Sequence, residues 1–584
     1  MLRKSWMPIF VLLGLLYLYL IHVKVETTTH QSPNRTNFTL HSKLAKSIKL
    51  HLKADKFNFK ALRCNDKPIP LGSQKWKWHD VAGEEVLVDL QKGTNQCYVV
   101  VDNQGKNYTL KLHTKGLFVD FMVLFILLGV PIVYILSYLF TRVLNYIHLT
   151  PKENIAPPNA SLSYIIVGII AMGLLIRTIY LHKYGVTLFQ HDWHGHIAFI
   201  KYIATHWSLP VPDEGLQYPQ QPLYYYITAG VFSSLQFMGF NEKESLFGLG
   251  YIALIASALF LIYAYRLLRL MGLSQWTMRI ALLFLALTPS FVYMSARINN
   301  DALVMGLAPM ALYYLFASYQ SGFRDHFYKA LIVISLLFMT KISTAGFELL
   351  FFVLLIVGYW QSKADERSMV AQKIVHFSVV GIFLLSFTLF RLYLPLDGSF
   401  HMVNSSNHFP GQILPPFSTH YFLSFHITEL IQTAQSHVMS MDTIRFSLPT
   451  YLYGTMLFGE FDYAWLRERI EHLKITMQLI YFVSLIFVVG AVAFILRCKK
   501  EALIKWLTVL LFVNLLLVIK FFTDYRAVCN TDFRYFVPSF VIIAVVFAYG
   551  LESIKYPLIQ NSIHCAVVIW SLALFYFYWL LLAY

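Results

Sequence analysis

Runs of about 20 apolar residues recur along most of the chain, and they restrict its fold more than any other feature. About 20 helical residues are needed to cross a hydrocarbon core of roughly 30 Å. Lipid offers no partner to backbone N–H and C=O groups, so a spanning segment must satisfy them internally, as a helix does. Apolar runs lie at 6–22, 117–139, 161–182, 247–268, 278–294, 302–319, 328–340, 344–360, 372–392, 475–496, 503–521, 536–552 and 563–583. The expectation is an all-α polytopic membrane protein with about 13 transmembrane helices. Composition agrees, since 57% of the 584 residues are hydrophobic and only 13% are charged. The net charge of +16 does not call for nucleic acid. Lysine and arginine gather in cytoplasmic loops by the positive-inside rule.

One long stretch departs from this pattern. Residues 24–115 are polar and alternate in hydropathy, as in "EEVLVDL", which argues for a small β domain. Cys64 and Cys97 fall within it and can pair if the domain lies outside an energised membrane. Cys498, Cys529 and Cys565 show no metal-ligand spacing. The domain order expected is a signal anchor at 1–23, the extracytoplasmic β domain at 24–115, a transmembrane helix and cytoplasmic linker at 116–160, and a membrane domain at 161–584. The outer loops of that domain are 183–246 and 393–474.

Charge fixes the orientation. With Arg3 and Lys4 inside, the basic stretches "RLLRLMG", "FRDHFYK", "QSKADER" and "RCKKEALIK" all fall inside, provided that 222–239 does not cross. That segment therefore reads as a helix on or dipping into the outer surface. The same parity brings "HDWHGH", "ARINNDAL", the loop 393–474 and "FTDYRAVCNTDFRYFVP" to the non-cytoplasmic side. Ionisable residues near a membrane are costly, so their gathering at one face marks a candidate site.

Each cluster admits a plainer reading. Asp192 is a candidate general base or a helix cap. His191, His194 and His196 invite a metal, but their spacing does not place all three on one helical face. Whether a divalent ion binds is open; if one does, Asp192, His194 and His196 are the candidate ligands. The tyrosines of "YPQQPLYYY", Tyr224 among them, would serve an interfacial aromatic belt or hold a sugar. Asp301 opens a membrane helix and could cap it. Lys341 must find an anion, water or a snorkelling path. Arg534 and Tyr535 enter another span, and the guanidinium fork suits phosphate; the plainer reading for it and for Lys341 is an ion pair with Asp524, Asp532 or headgroups. Glu460 sits in an aromatic stretch that could hold a sugar or dock on the membrane.

The ordered set Asp192, His196, "QQPLYY", "NNDAL", "FMTKIST" and "DFRYFVP" resembles the GT-C membrane glycosyltransferases of the family 39 type, which include protein O-mannosyltransferases and lipid A aminoarabinose transferases. Gln221 stands where the family has the first of two paired prolines. The resemblance covers roughly 161–552 as ordered motifs and leaves out the first 150 residues. It implies a GT-C-like fold and transfer of a sugar from a polyprenyl-phosphate donor to an extracytoplasmic glycan, lipid or protein. Asp192 then matches the acceptor-activating acid, assisted by His196, and Asp301 matches the second acidic position. Lys341 and Arg534, with Tyr535, match positions near the lipid phosphate. Asp213 and Glu214 stand where some relatives carry a further acidic pair, and with Tyr224 and Glu460 they form a candidate acceptor or sugar contact.

The chemistry is self-consistent. A carboxylate deprotonates the acceptor, cations stabilise the departing phosphate, and in-line attack inverts the anomeric carbon. No nucleic-acid partner and no cofactor other than the open metal is called for. A multi-pass protein of the inner, plasma membrane with an outward-facing site is expected. The rivals are a transporter or flippase of lipid-linked saccharides, a polymerase or ligase of them, and a scaffold acting through its β domain. Related halves and mid-membrane charges would mark a transporter; no internal repeat is visible here.

The orientation can be checked by labelling. An impermeant thiol reagent should reach a cysteine placed at Ser405 and spare Cys498; the reverse pattern would overturn it.

Overall fold

The computed structural model describes residues 23–32, 35–42, 46–55, 58–65, 67–69, 76–78, 81–90, 93–102 and 110–115, and residues 164–582 except 187, 191, 394–417, 435, 464–469, 498–501, 525–527 and 555. The apolar runs at 6–22 and 117–139 lie outside these residues. The chain forms two compact units, Met1–Pro157 and Pro158–Tyr584.

Among the described residues the first unit holds nine strands: β1 (Val23–Ser32), β2 (Arg35–Ser42), β3 (Lys46–Asp55), β4 (Asn58–Cys64), β5 (Lys67–Ile69), β6 (Trp76–Trp78), β7 (Val81–Leu90), β8 (Gly93–Asp102) and β9 (Leu110–Lys115). They form a five-stranded sheet in the order β1-β2-β8-β4-β5 and a four-stranded sheet in the order β6-β7-β3-β9. Cys64 and Cys97 are direct cross-strand partners on β4 and β8 and form a disulfide.

The second unit is helical. Nine helices among the described residues are long and apolar enough to cross a membrane, and two shorter apolar helices, Gln275–Leu287 and Phe327–Thr340, accompany them. Each apolar run from 161 onward is helical over most of its described residues. Leu223–Phe237, the segment of doubtful crossing, is a helix of 15 residues, short of the length a span needs. Close helix crossings rest on small residues, as is common where lipid supplies no hydrophobic drive. At the crossing of Ile470–Arg497 with Phe540–Glu552, a Cβ on Gly550 would lie 1.8 Å from the carbonyl oxygen of Gly490.

The run at 278–294 departs from expectation, because it is not one continuous helix. It breaks at Thr288, whose backbone is extended, before the short helix Pro289–Met294. Pro289 has no N–H, so the carbonyl of Leu285 loses its helical donor. Arg177, fully buried on Tyr164–Tyr184, donates to Leu285 at 2.8 Å and Ala286 at 2.6 Å. Tyr578 donates to the carbonyl of Leu287 at 2.7 Å. The break is thus stabilised by two side chains from separate helices, and it turns the chain toward the polar stretch 295–301.

Replacing Arg177 with Met leaves two buried carbonyls unpaired, and Tyr578→Phe leaves one, at about 1–3 kcal/mol for each unsatisfied group. Both variants should melt at a lower temperature than the parent in detergent. Unchanged midpoints would mean that other contacts hold the break.

Candidate active site

Asp192 is placed by an unusual piece of backbone. Phe189 and Asp192 both adopt left-handed conformations, with φ of +52° and +59°. This is uncommon for any residue with a Cβ and costly for a bulky one such as phenylalanine. Packing over-determines it. The Phe189 ring lies against Tyr293, Phe461 and Tyr463 at centroid distances of 4.7, 4.8 and 5.1 Å. The Gln190 amide donates to the Ile298 carbonyl and accepts from the Ile298 N–H, each at 3.0 Å. Arg297 Nε donates to the Phe189 carbonyl at 2.9 Å. Segments 189–192 and 297–301, more than 100 residues apart in sequence, are thereby fixed edge to edge.

Asp192 stands at the N-cap position of Trp193–His206 but makes no side-chain capping bond. Its carboxylate faces Arg534, Oδ2 to Nη2 at 3.4 Å, with the aspartate side chain 36% exposed. The capping alternative therefore fails for this side chain, because its geometry is turned away from the helix and toward a cation.

The polar excess of "RINND" is accounted for residue by residue. Asn299, rather than Asp301, is the cap, accepting from the Ala302 N–H at 3.3 Å. Asn300 donates to the Thr340 carbonyl at 3.1 Å and to Gln220 at 3.2 Å. Asp301, buried in the first turn of Asn300–Gln320, pairs with Lys341 and receives a bond from Asn299 at 3.5 Å. Lys341 interrupts two helices in an extended conformation, which points it at Asp301. The anion it holds is therefore a carboxylate of the same chain.

Arg534 lies in the turn Phe533–Ser539 leading into a membrane helix. Asp532 accepts from its backbone N–H at 3.2 Å and stands 3.5 Å from its Nε. Lys341 Nζ and Arg534 Cζ lie over the same Tyr535 ring, 5.2 and 5.3 Å from its centroid, so the two cations are neighbours. The stretch 451–460 adds a fourth side. Glu460 is buried and accepts from the Tyr451 hydroxyl, and Thr455 accepts from the Phe533 N–H at 3.0 Å. Burial, with the charge of Asp532, pushes the Glu460 carboxyl up to about 8, so it is protonated near neutral pH. Burial also pushes the Asp532 carboxyl up, against the pull of Arg534 and Arg297. Glu460 is thus part of the polar core rather than of a membrane-docking face.

Other expectations change. His196 is buried, and its Nδ1 meets the Tyr225 hydroxyl at 2.8 Å; its hydrogen bond is not to Asp192. Burial lowers it from 6.5 to about 4, Asp192 opposing only in part, so the ring is neutral. His194 is exposed against Trp193, and His191 lies outside the described residues. Among the described residues no three His, Cys, Asp or Glu side chains converge on a metal position. Tyr218, Tyr224 and Tyr225 are at most 1% exposed and pack inward, so they form no interfacial belt. Asp213 and Glu214 lie on the separate turn Pro212–Glu214. The side chain of Asp213 is outside the described residues. The structure thus brings together Asp192, Asp301, Lys341, Arg534, Tyr535 and Glu460. Sequence reasoning missed Gln190 and gave Asp532 no role beyond a counter-ion; the D-x-R spacing of a capping turn was the available signal for the second.

Residues 220–390 match the family model described as dolichyl-phosphate-mannose-protein mannosyltransferase. The match takes in Gln220, Asn300, Asp301 and Lys341 and stops short of Asp192 and Arg534 on either side. It bears out the resemblance to membrane glycosyltransferases seen in the sequence. Among solved structures, the chain is similar to the arabinosyltransferase EmbB from Mycobacterium smegmatis, at 10% identity over 89% of this chain and 42% of that one, with a TM-score of 0.44. It is similar to the S. cerevisiae protein O-mannosyltransferase Pmt1-Pmt2 complex bound to the sugar donor, at 19% identity over 44% of this chain and 39% of that one, with a TM-score of 0.32. It is also similar to ArnT from Cupriavidus metallidurans bound to undecaprenyl phosphate, at 10% identity over 71% and 76% of the two chains, with a TM-score of 0.38. The matched part spans less than half the length of the first two. No curated protein sequence matches.

The His196 shift gives a pH prediction. The unfolded imidazole takes up a proton near 6.5 that the folded one refuses until about 4. Stability is therefore fully present above pH 6.5 and is lost as pH falls through that window. Melting temperature measured from pH 7 to 4.5 should fall, and less steeply in His196→Gln. Equal slopes would show that His196 is not buried in its neutral form.

Proposed function

We propose that this integral, multi-pass membrane protein is a glycosyltransferase that moves a sugar from a polyprenyl-phosphate-linked donor to the hydroxyl of an extracytoplasmic acceptor, with inversion and with Asp192 as general base. The observation that carries the reading is the convergence of two acidic and two basic side chains, from four separate stretches of chain, around one tyrosine ring. The family match over 220–390 supports it.

The roles follow from charge. The transition state gains positive charge at the anomeric carbon and negative charge on the departing phosphate oxygen. Asp192 takes the acceptor proton as the new C–O bond forms. Lys341 and Arg534 face the phosphate as its bond to the anomeric carbon breaks. Asp301 and Asp532 hold these two cations in place, and Glu460, protonated, can donate a hydrogen bond to a sugar hydroxyl. One base suffices, unlike the paired carboxylates of a retaining hydrolase. The aspartate's left-handed backbone is also in keeping with a functional site, where such strain is tolerated.

The side of the membrane is part of the proposal. The Cys64–Cys97 disulfide supports an oxidising, non-cytoplasmic setting for the β unit, and the basic loops support a site on the non-cytoplasmic side of a plasma membrane.

Asp192→Asn keeps the shape and tolerates a left-handed backbone, but it cannot take a proton. With a polyprenyl-phosphate sugar donor, the purified variant should be expressed normally and lose about 10²–10⁴-fold in turnover. Near-normal turnover would remove Asp192 from the mechanism.

A further inference from the structure

Both cations that would meet the donor phosphate are already paired with carboxylates of the chain. Lys341 holds Asp301, and Arg534 holds Asp192. We propose that Asp192 is an exchangeable counter-ion: the donor phosphate displaces it from Arg534, and the base is released for the acceptor only once the donor is bound. The inference rests on the glycosyltransferase reading and adds an order of events to it.

The two ends of Arg534 differ in the way an exchange requires. Asp532 holds the residue from behind: it accepts from the backbone N–H at 3.2 Å, stands 3.5 Å from Nε and is buried at 4% exposure. That grip is local, since Asp532 caps the turn that carries Arg534, and it persists whatever meets the guanidinium in front. Asp192 meets only Nη2, at 3.4 Å, from a side chain 36% exposed. The two guanidinium contacts are similar in length, so solvent access separates them: the partly exposed carboxylate is open to exchange, and the buried one stays with the turn it caps. The Lys341–Asp301 pair is different again, with side chains 12% and 6% exposed. Breaking a buried pair is costly, so Asp301 stays as a fixed counter-ion while Asp192 leaves.

Charge balance points the same way. With Glu460 protonated, Asp192, Asp301 and Asp532 face Arg297, Lys341 and Arg534. A phosphate entering beside Arg534 adds an anion to these six residues, in which three carboxylates are matched by three cations. The surplus is relieved when the displaced carboxylate accepts a proton, and a carboxylate without its counter-ion holds a proton better than a paired one. The acceptor hydroxyl supplies that proton as its oxygen bonds to the anomeric carbon. The anomeric carbon–oxygen bond to phosphate breaks, and the electron pair leaves on the polyprenyl phosphate. Before donor binding Asp192 is held by Arg534, which keeps it from activating a hydroxyl in an empty site.

Competition for Arg534 makes an uncommon demand on one variant. Asp192→Asn, which the transfer reading expects to be almost inactive, should bind polyprenyl phosphate more tightly than the parent, because no carboxylate then competes for the guanidinium. The full chain in nanodiscs is titrated with polyprenyl monophosphate, with polyprenol of equal length as the control. The dissociation constant of Asp192→Asn should be about 3- to 10-fold lower than that of the parent, and polyprenol should not distinguish the two. Equal or weaker binding by the variant, with the parent binding well, overturns the exchange and leaves the donor assignment standing. Failure of both proteins to prefer the phosphate over polyprenol overturns the donor assignment and the exchange with it.

Discussion

The site depends on one contact, the reciprocal hydrogen bonding of the Gln190 amide with the backbone of Ile298. An amide side chain offers one donor and one acceptor in the geometry of a backbone edge, and here it locks together two loops that close separate membrane helices. Arg297 reinforces the lock through the Phe189 carbonyl. Asp192 follows two residues after Gln190, and Asp301 three residues after Ile298, so a single pair of bonds sets the relation of the two acids. The break at Pro289, held by Arg177 and Tyr578, delivers the second loop to this meeting. Side chains buried in the helical layer thus govern the geometry at the polar end.

Around that lock the cluster is built as alternating charges. Asp192, Arg534 and Asp532 form one chain of ion pairs, and Lys341 and Asp301 another; Tyr535 lies between them and offers its ring to both cations. Such a set is costly to remove from water and is stable only while each member keeps a partner. It is also responsive, because an arriving anion must change the pairing of at least one member. Stability of the resting protein and reactivity of the occupied one therefore draw on the same contacts.

Much of this was legible in the sequence. Helices in the membrane unit follow from apolar run length, and the gathering of Asp192, Asp301, Lys341 and Arg534 follows from parity and motif order. What misled was local reasoning about single polar residues. Asp192 and Asp301 both occur where caps occur, yet Asn299 does the capping at one helix and no side chain does so at the other. The tyrosines of "YPQQPLYYY" look interfacial by composition, and they are buried because the prolines turn the chain back under the Trp193–His206 helix, where Phe199 and Tyr225 stack at 3.9 Å. His196 reads as a partner for Asp192 at one helical turn, but Tyr225 competes for it. Gln190 carried no periodic or motif signal at all, since its role exists only once two distant loops meet.

The most direct measurement is a structure of the chain in lipid with a polyprenyl-phosphate sugar bound. The account requires the phosphate between Lys341 and Arg534, beside the Tyr535 ring, with the anomeric carbon turned toward Asp192. A phosphate bound away from both cations, or an anomeric carbon facing away from Asp192, would contradict it.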